Sequence, residues 1–176
     1  LFRARANGLR MYNLTLHNTA PDDSGQAETI KQSGLKCIME NCKFRSYQDT
    51  LCLNGQMYYK NCYVEGDTDY IWGTGTVYFD KCEIKSLSTG SVVTQPRSAG
   101  PAATGYFFVD CSLTAAIGVT NSYFARLFDG YPYAQTAFIN CTMPNTLIYP
   151  IGWNRNTQAD MNNVRLWEYK STTPEG

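Results

Sequence analysis

Residues 46–75 read SYQDTLCLNGQMYYKNCYVEGDTDYIWGTG, and the spacing of residues inside this stretch indicates a structural repeat. It contains the dipeptide Asn61-Cys62, which also occurs 20 residues earlier as Asn41-Cys42. Two of its three aspartates, Asp49 and Asp69, are 20 residues apart, and each follows an equivalent cysteine by seven residues. We therefore expect the two aspartates to occupy matching positions on neighbouring structural repeats.

The same pattern continues along the chain as a six-residue repeat whose first, fourth and sixth positions are apolar or cysteine. Its copies are MYNLTL (11–16), MENCKF (39–44), YKNCYV (59–64), FDKCEI (79–84), FVDCSL (108–113) and FINCTM (138–143). The fourth positions of successive copies are 28, 20, 20, 29 and 30 residues apart. If the side chains at positions four and six point to the same side, the pattern has the two-residue period of a β-strand. Because no convincing amphipathic helix lies between the copies, the repeat predicts an all-β protein, a right-handed parallel β-helix.

The composition indicates a single domain over residues 1–176 with a polar surface that carries few charges. Charged residues make up 17% of the chain, against roughly 25% in ordinary globular domains. Lys plus Arg and Asp plus Glu number 15 each, so bulk charge favours neither nucleic acid nor an anionic membrane as a partner. No apolar run approaches the ~20 residues that span a bilayer. We expect the protein to be a monomer in which this chain associates with any remaining part of the same domain.

Cysteines and glycosylation sequences favour an extracellular protein without a metal. The seven cysteines lack CxxC spacing and His17 is the single histidine, which argues against a zinc site and favours a disulfide in a secreted protein. The triplets at 13–15 and 140–142 are N-glycosylation sequences, compatible with secretion. The N-terminal residues do not resemble a signal peptide, and neither end shows a capping element. We expect an internal or C-terminal portion of a β-helix that lacks its N-terminal coils and cap.

The aspartate pair predicts acid–base chemistry. On adjacent coils about 4.8 Å apart, Asp49 and Asp69 cannot both ionise comfortably, so one pKa must rise. One carboxylate then acts as nucleophile or base while the other acts as general acid. Gln48 and Gln26 offer neutral amide donors for an oxyanion, and Arg126, two coils further on, can keep one carboxylate ionised. The set indicates acyl chemistry on an ester.

Two motifs in this region resemble a known family. YQDTL (47–51), followed by DTDYIWG (67–73), is similar to the two signature motifs of the pectin methylesterases, and QMYYKNCYVEG (56–66) between them fits that pattern too. Further similar segments follow in the right order: NLTLHNTA (13–20), GQA (25–27), VTQPRSAGPAATGYFFVDC (93–111), GWNRN (152–156) and WEYKSTTPEG (167–176). The resemblance covers nearly the whole chain. It implies a right-handed parallel β-helix that acts on pectin and needs no metal or cofactor.

The resemblance also implies a role for each site residue. Asp69 would attack the carbonyl carbon of a galacturonate methyl ester, and Asp49 would protonate the departing methanol and then activate the hydrolytic water. Gln48 and Gln26 would hold the oxyanion, and Arg126 would orient Asp69.

Aromatic residues and a disulfide are implied in the same way. The aromatic residues that would contact sugar rings are Trp72, Phe128 and Trp153. Cys62 and Cys82 match a family disulfide, and adjacent stacked coils give the backbone distance that a bridge needs. Cys42 stacked on Cys62 is the competing pairing.

The chain departs from the family at two positions, and several residues keep a structural alternative. Arg126 lies in Ala-Arg-Leu-Phe where the family has Gly-Arg-Pro-Trp, and Cys52 replaces a common aromatic residue after YQDTL. From the residues alone, Gln26 also suits a turn, Arg126 a solvated surface and Phe128 the core.

Three functions therefore compete. The main hypothesis is a secreted esterase that removes methyl groups from pectin. The second is a catalytically silent β-helix that binds pectin or another cell-wall polysaccharide. The third is a calcium-dependent lyase or a polygalacturonase, but the sequence shows neither a calcium-binding carboxylate cluster nor a Gly-His-Gly motif.

Overall fold

The chain folds almost entirely as β-structure in the computed structural model, which describes residues 1–154 and 162–174. These residues contain one short 3-10 helix, Asp22–Ser24, and no helix among them is long and apolar enough to cross a membrane. Two of the family-like segments run past this limit. Arg155 and Asn156 of GWNRN lie outside the described residues, as do the last two residues of WEYKSTTPEG.

The described strands form three parallel sheets. In spatial order, sheet A contains β1 (Phe2–Ala4), β4 (Ile30–Gln32), β7 (Leu51–Leu53), β10 (Ile71–Gly73), β13 (Val92–Pro96), β16 (Tyr123–Arg126) and β18 (Trp153–Asn154). Sheet B contains β2 (Arg10–Tyr12), β5 (Cys37–Glu40), β8 (Gln56–Lys60), β11 (Thr76–Asp80), β14 (Tyr106–Val109), β17 (Gln135–Ile139) and β19 (Arg165–Tyr169). Sheet C contains β3 (Thr15–His17), β6 (Lys43–Arg45), β9 (Tyr63–Gly66), β12 (Glu83–Ser86) and β15 (Ser112–Ala115). From β1 to β15 the chain visits A, B and C in turn, and from β16 to β19 it alternates between A and B. All strand pairs are parallel, so the structure is the all-β parallel helix that the repeat predicts.

The repeat sets the register between coils. Its first positions pair in sequence across sheet B: Met11, Met39, Tyr59, Phe79, Phe108 and Phe138. All six are buried, and the rings of Phe79 and Phe108 stack with centroids 4.5 Å apart, close to the spacing of hydrogen-bonded strands. The core is therefore a set of stacked columns, and residues that are equivalent in the repeat become neighbours in space.

The structure corrects one detail of the repeat, which is not a single strand. Its third position has a left-handed backbone, with φ between 51° and 55°, in all six copies: Asn13, Asn41, Asn61, Lys81, Asp110 and Asn140. This residue turns the chain from sheet B into sheet C. A seventh copy follows, in which Glu168 pairs with Phe138 and Lys170 has φ 54°. The polar residue at its first position hid this copy from the sequence pattern.

The cysteines that stack in one column do not form the predicted disulfide. Its buried members are Cys42, Cys62, Cys82, Cys111 and Cys141, and all seven cysteines of the chain are free thiols. The thiol of Cys62 donates to the carbonyl oxygens of Met39 and Lys60, at 3.5 and 3.4 Å. Neither the Cys62–Cys82 nor the Cys42–Cys62 bridge is formed, because equivalent positions on stacked coils point their thiols in the same direction, towards carbonyl oxygens.

Candidate active site

Asp49 and Asp69 lie at equivalent places on adjacent coils. Asp49 precedes β7 and Asp69 precedes β10, and these strands pair with Leu51 opposite Ile71. The backbone N–H of Asp49 donates to the carbonyl oxygen of Thr68, at 3.0 Å. The prediction from the 20-residue spacing is therefore confirmed, and the two backbones lie about one strand spacing, ~4.8 Å, apart.

Burial changes the acidity of both carboxyl groups. The exposed fraction is 5% for Asp49 and 3% for Asp69. Burial, followed by the charge of Asp69, raises the pKa of Asp49 to about 7. Burial also raises the pKa of Asp69, but the charge of Arg126 and its hydrogen bond oppose that rise. Near neutral pH, Asp49 can thus hold a proton while the cationic neighbour favours the anion of Asp69.

The two carboxylate oxygens of Asp69 have different surroundings. Oδ2 accepts a hydrogen bond from Nε2 of Gln95 at 2.5 Å and another from the guanidinium of Arg126, which also forms an ion pair with it. Oδ1 has no hydrogen-bond partner among the described residues, although it is buried. One oxygen is therefore held by two donors, whereas the other accepts no hydrogen bond from the described residues.

Arg126 reaches Asp69 because of the register of sheet A. Trp72 pairs with Gln95, and the pairing of Thr94 with Ala125 makes Arg126 the neighbour of Gln95 on the next coil. This places Arg126 two coils beyond the coil of Asp69, as the repeat count predicts. Of the two alternatives for Arg126, the structure favours the carboxylate partner over the solvated surface residue.

Gln26 and Gln48 form a column beside the aspartates. They pair with each other in a parallel bridge, and the N–H of Ala27 donates to the carbonyl oxygen of Gln48 at 3.1 Å. Gln48 is half-buried and Gln26 is exposed. Gln48 directly precedes Asp49 in the chain, and Gln26 is the neighbour of Gln48 on the adjacent coil. Both residues therefore lie next to the aspartates, where an amide donor for an oxyanion would be needed.

Two of the three predicted aromatic residues surround a cation at the edge of the site. The guanidinium carbon of Arg97 lies 4.4 Å from the ring centroid of Trp72, 5.1 Å from that of Phe128 and 5.8 Å from that of Tyr131. Phe128 is 40% exposed, so it belongs to the surface of the groove and not to the core.

Trp153 lies elsewhere, and the structure corrects its predicted place in the groove. It pairs with Ala125, whereas the groove column of Arg126 continues at Asn154. Its ring packs on Phe124 and Phe138, with centroid distances of 5.0 and 6.4 Å. Because side chains alternate along a strand, a shift of one position turns Trp153 towards the core.

Sequence reasoning missed Gln95 and Arg97. Nε of Arg97 donates to Oε1 of Gln95 at 2.7 Å, and a second guanidinium nitrogen donates to the same oxygen. Because arginine can only donate, Oε1 must face Arg97, which leaves Nε2 to donate to Asp69. The segment TQPR (94–97) resembles the family but has no role in the sequence-based prediction, and extending the column from Trp72 by one coil points to Gln95.

The arrangement can support nucleophilic attack by one carboxylate with proton transfer by the other. In residues 1–154 and 162–174, no group of three or more His, Cys, Asp or Glu side chains is placed to hold a metal ion. The chemistry available from the side chains is therefore that of a carboxylate pair with amide and guanidinium donors.

Comparison with known proteins gives matches along nearly the whole chain. The family model described as pectinesterase matches residues 2–176. The chain is 32% identical over 164 residues to pectinesterase 31 of Arabidopsis thaliana, covering 92% of this chain and 51% of that protein. It is 32% identical over 171 residues to probable pectinesterase A of Neosartorya fischeri, covering 95% and 51%. The chain thus spans about half the length of the curated relatives it matches.

Two solved structures with a similar fold are pectin methylesterases as well. The crystal structure of the pectin methylesterase from Aspergillus niger superposes with a TM-score of 0.85 at 29% identity, covering 96% of this chain and 56% of that one. Pectin methylesterase from carrot gives a TM-score of 0.88 at 22% identity, with 97% and 58% covered, which supports the fold alone.

Proposed function

The chain belongs to the pectinesterase family, and from this premise we propose that it hydrolyses the galacturonate methyl esters of pectin to free galacturonate and methanol. One observation carries the proposal. Asp69 is buried with Oδ2 held by Gln95 and Arg126, while Oδ1 has no partner among the described residues. A carboxylate in this state is oriented and still able to attack.

In the first step, Oδ1 of Asp69 attacks the carbonyl carbon of the ester. The bond from that carbon to the methoxy oxygen breaks, and Asp49 gives its proton to this oxygen so that methanol leaves. Because the pKa of Asp49 is about 7, the protonated form is present near neutral pH. The galacturonyl group remains bound to Asp69 as an acyl-enzyme.

In the second step, the Asp49 carboxylate takes a proton from water, and the water oxygen attacks the acyl carbon. The bond from that carbon to Oδ1 of Asp69 breaks, which releases galacturonate and restores the Asp69 carboxylate. Both steps pass through an oxyanion, for which Gln48 and Gln26 supply amide donors. Because these donors are neutral, they leave the charge of the nucleophile in place.

Trp72 and Phe128 provide the surface for sugar rings. Both lie around Arg97 at the edge of the site. Within the described residues, Nε1 of Trp72 is buried without a hydrogen-bond partner, so it is a donor that a sugar hydroxyl would satisfy. Stacking on the rings would orient the pectin chain across the aspartate pair.

The protein would act outside the cell. The relatives are plant and fungal pectinesterases, and pectin is a cell-wall polymer. The asparagines of both glycosylation sequences, Asn13 and Asn140, are exposed, as glycosylation during secretion requires.

Methanol release from highly methylated pectin tests the function. The esterase is expected to form methanol and new carboxylate in equal amounts, with no new reducing ends and no unsaturated product. Chain cleavage without methanol would contradict the proposal and favour a polygalacturonase or a lyase. Binding of pectin with no methanol formed would favour the silent polysaccharide-binding β-helix.

A further inference from the structure

Arg165 lies outside the reaction site, on the edge strand β19 of sheet B, but its guanidinium contacts two loops that lead into the site. Its Nη2 donates to the carbonyl oxygens of Ala103 and Tyr133, at 2.5 and 3.0 Å. Its Nη1 donates to the carbonyl oxygen of Pro101, at 3.5 Å. Pro101 and Ala103 belong to one loop and Tyr133 to the other, so a single side chain joins the two loops.

Both loops carry residues of the site. Residues 97–105, which we call the first loop, join β13 to β14 and begin with Arg97. Residues 127–134, the second loop, join β16 to β17 and contain Phe128 and Tyr131. The rings of Phe128 and Tyr131 lie 5.1 and 5.8 Å from the guanidinium carbon of Arg97. The cation of the first loop therefore meets these rings only while the two loops are held close together.

The first loop has few anchors of its own. None of its residues 99–104 is buried, so no apolar side chain fixes its middle part to the core. Its far end is held by side-chain hydrogen bonds, because Thr104 bonds to Thr76 at 2.5 Å. The N–H of Gly105 also donates to Oε1 of Gln135, at 3.2 Å. Among the described residues, the guanidinium contacts are thus the bonds that tie the middle of this loop to the second loop.

The charge of Arg165 strengthens these bonds. Among the described residues, the ion pairs involve other side chains, and Nε of Arg165 is buried without a hydrogen-bond partner. The two terminal nitrogens therefore make the contacts. A planar guanidinium can donate to several carbonyl oxygens at once, and a hydrogen bond from a charged donor is stronger than one between neutral groups.

We propose that Arg165 is a positioning residue, which holds the two loops together and thereby fixes the rings around Arg97 on which the sugar chain binds. The inference rests on the proposed function, since that function assigns Trp72 and Phe128 to the binding of pectin. Arg165 itself touches neither the substrate nor the reacting atoms. It acts through the carbonyl oxygens of the loops.

Arg97 connects the sugar-binding rings to the nucleophile. Its Nε donates to Oε1 of Gln95 at 2.7 Å, and Gln95 donates to Asp69. Separation of the loops is expected to displace Phe128 first, because this residue lies on the second loop. Gln95 lies within β13 and keeps its strand pairing with Trp72. The loss of Arg165 should therefore act mainly on KM and less on kcat.

The first test measures kcat and KM for methanol release from highly methylated pectin. Arg165→Ala is expected to raise KM about tenfold and to lower kcat by no more than about threefold, as loss of a charge-assisted contact predicts. Arg165→Lys keeps the stem and the charge but not the fork, so a smaller rise in KM without destabilisation separates positioning from a loss of folding. Arg10→Ala, which removes an exposed arginine from β2 of the same sheet, is the matched control and should keep both constants.

A double-mutant cycle shows whether Arg165 acts through Arg97. In an Asp69→Asn background, which forms no methanol, Arg165→Ala should weaken binding of the methylated pectin about tenfold. When Arg97→Ala is also present, adding Arg165→Ala should weaken binding less than about twofold further, because the rings no longer surround a cation. Equal effects of Arg165→Ala in the two backgrounds would show a merely structural role and would overturn the proposal.

Trypsin cleavage between Arg97 and Ser98 reports on the loops without any substrate. Arg165→Ala should be cut at this bond about tenfold faster than the unmodified and Arg10→Ala proteins, since cleavage follows the population of the open loop. An unchanged rate of cleavage, or faster cleavage with unchanged binding of pectin, would reject the positioning role. An unmodified protein that forms no methanol, but binds pectin more tightly than Arg165→Ala does, would reject only the esterase.

Discussion

Asp49 and Asp69 share a left-handed backbone conformation, with φ of 62° and 49°, as well as a register position. Among residues other than glycine, asparagine and aspartate tolerate this conformation best. Each carboxylate is therefore presented from a corner of a coil and not from the middle of a strand. Asparagine is the appropriate replacement, because it keeps both the shape of the side chain and the tolerance for this backbone.

The pH dependence of kcat/KM reports the proton on Asp49. Burial and the charge of Asp69 raise the pKa of Asp49 to about 7, so the acid that protonates the departing methoxy oxygen persists up to that pH and is lost above it. We expect kcat/KM to fall on the alkaline side with an apparent pKa of about 7, and to fall on the acid side as Asp69 becomes protonated. A rate that climbs steadily from pH 7 to pH 9 would be incompatible with Asp49 as the acid.

Gln95 and Arg97 should act on the reactivity of Asp69 to different extents. Gln95→Ala removes a donor from Oδ2, and a charge-assisted hydrogen bond of about 2 kcal/mol corresponds to a loss in kcat of about 30-fold with little change in KM. Arg97→Ala should lower kcat by freeing the Gln95 amide, and should also raise KM because Arg97 contacts Trp72 and Phe128.

Arg45→Ala is the control for these variants, because Arg45 pairs with Glu65 on sheet C. Its steady-state kinetics should match those of the unmodified protein. An unchanged kcat in Gln95→Ala would show that the contact with Oδ2 does not matter to the reaction.

Trp72 and Trp153 should separate substrate binding from stability. Trp153→Ala removes a ring that packs on Phe124 and Phe138, and it should lower the free energy of unfolding by about 3 kcal/mol. Trp72→Ala should instead raise KM for pectin, with a smaller loss of stability. Denaturant unfolding and kinetics on both variants test this, and a higher KM without destabilisation in Trp153→Ala would return that residue to the groove.

The oxidation state of the cysteine column can be counted directly. All seven thiols are free in the structure, so unfolding without reductant in the presence of iodoacetamide should add seven carbamidomethyl groups. Intact-mass measurement gives the count, and a fully reduced sample provides the reference. A mass that shows two fewer adducts than the reference would establish one disulfide and contradict the seven free thiols.

The sequence predicts the columns well because coil spacing and register come from the same repeat. Counting coils correctly brought Asp49 next to Asp69 and Arg126 two coils further on. The same counting failed for Trp153. The long segment before β18 leaves the register of that strand undetermined, and a shift of one residue moves a side chain from the groove to the core.

The repeat predicts which residues are neighbours on adjacent coils, but not which side chains form hydrogen bonds or disulfides. The bond from Gln95 to Asp69 depends on a rotamer that Arg97 selects, and a repeat pattern contains no rotamers. For the cysteines, coil spacing satisfied the distance between backbones that a disulfide needs, but the direction of each thiol was also required.

The most direct test of the account is the rate of methanol release by Asp69→Asn, measured beside Asp110→Asn. Asp110 is exposed, and its backbone has the same left-handed conformation, with φ 52°, so its variant controls for the substitution itself. We predict that Asp69→Asn lowers kcat by at least about 10⁴-fold with no loss of folding, while Asp110→Asn keeps full activity. An Asp69→Asn protein that still releases methanol at a rate near that of the unmodified chain would contradict Asp69 as the nucleophile.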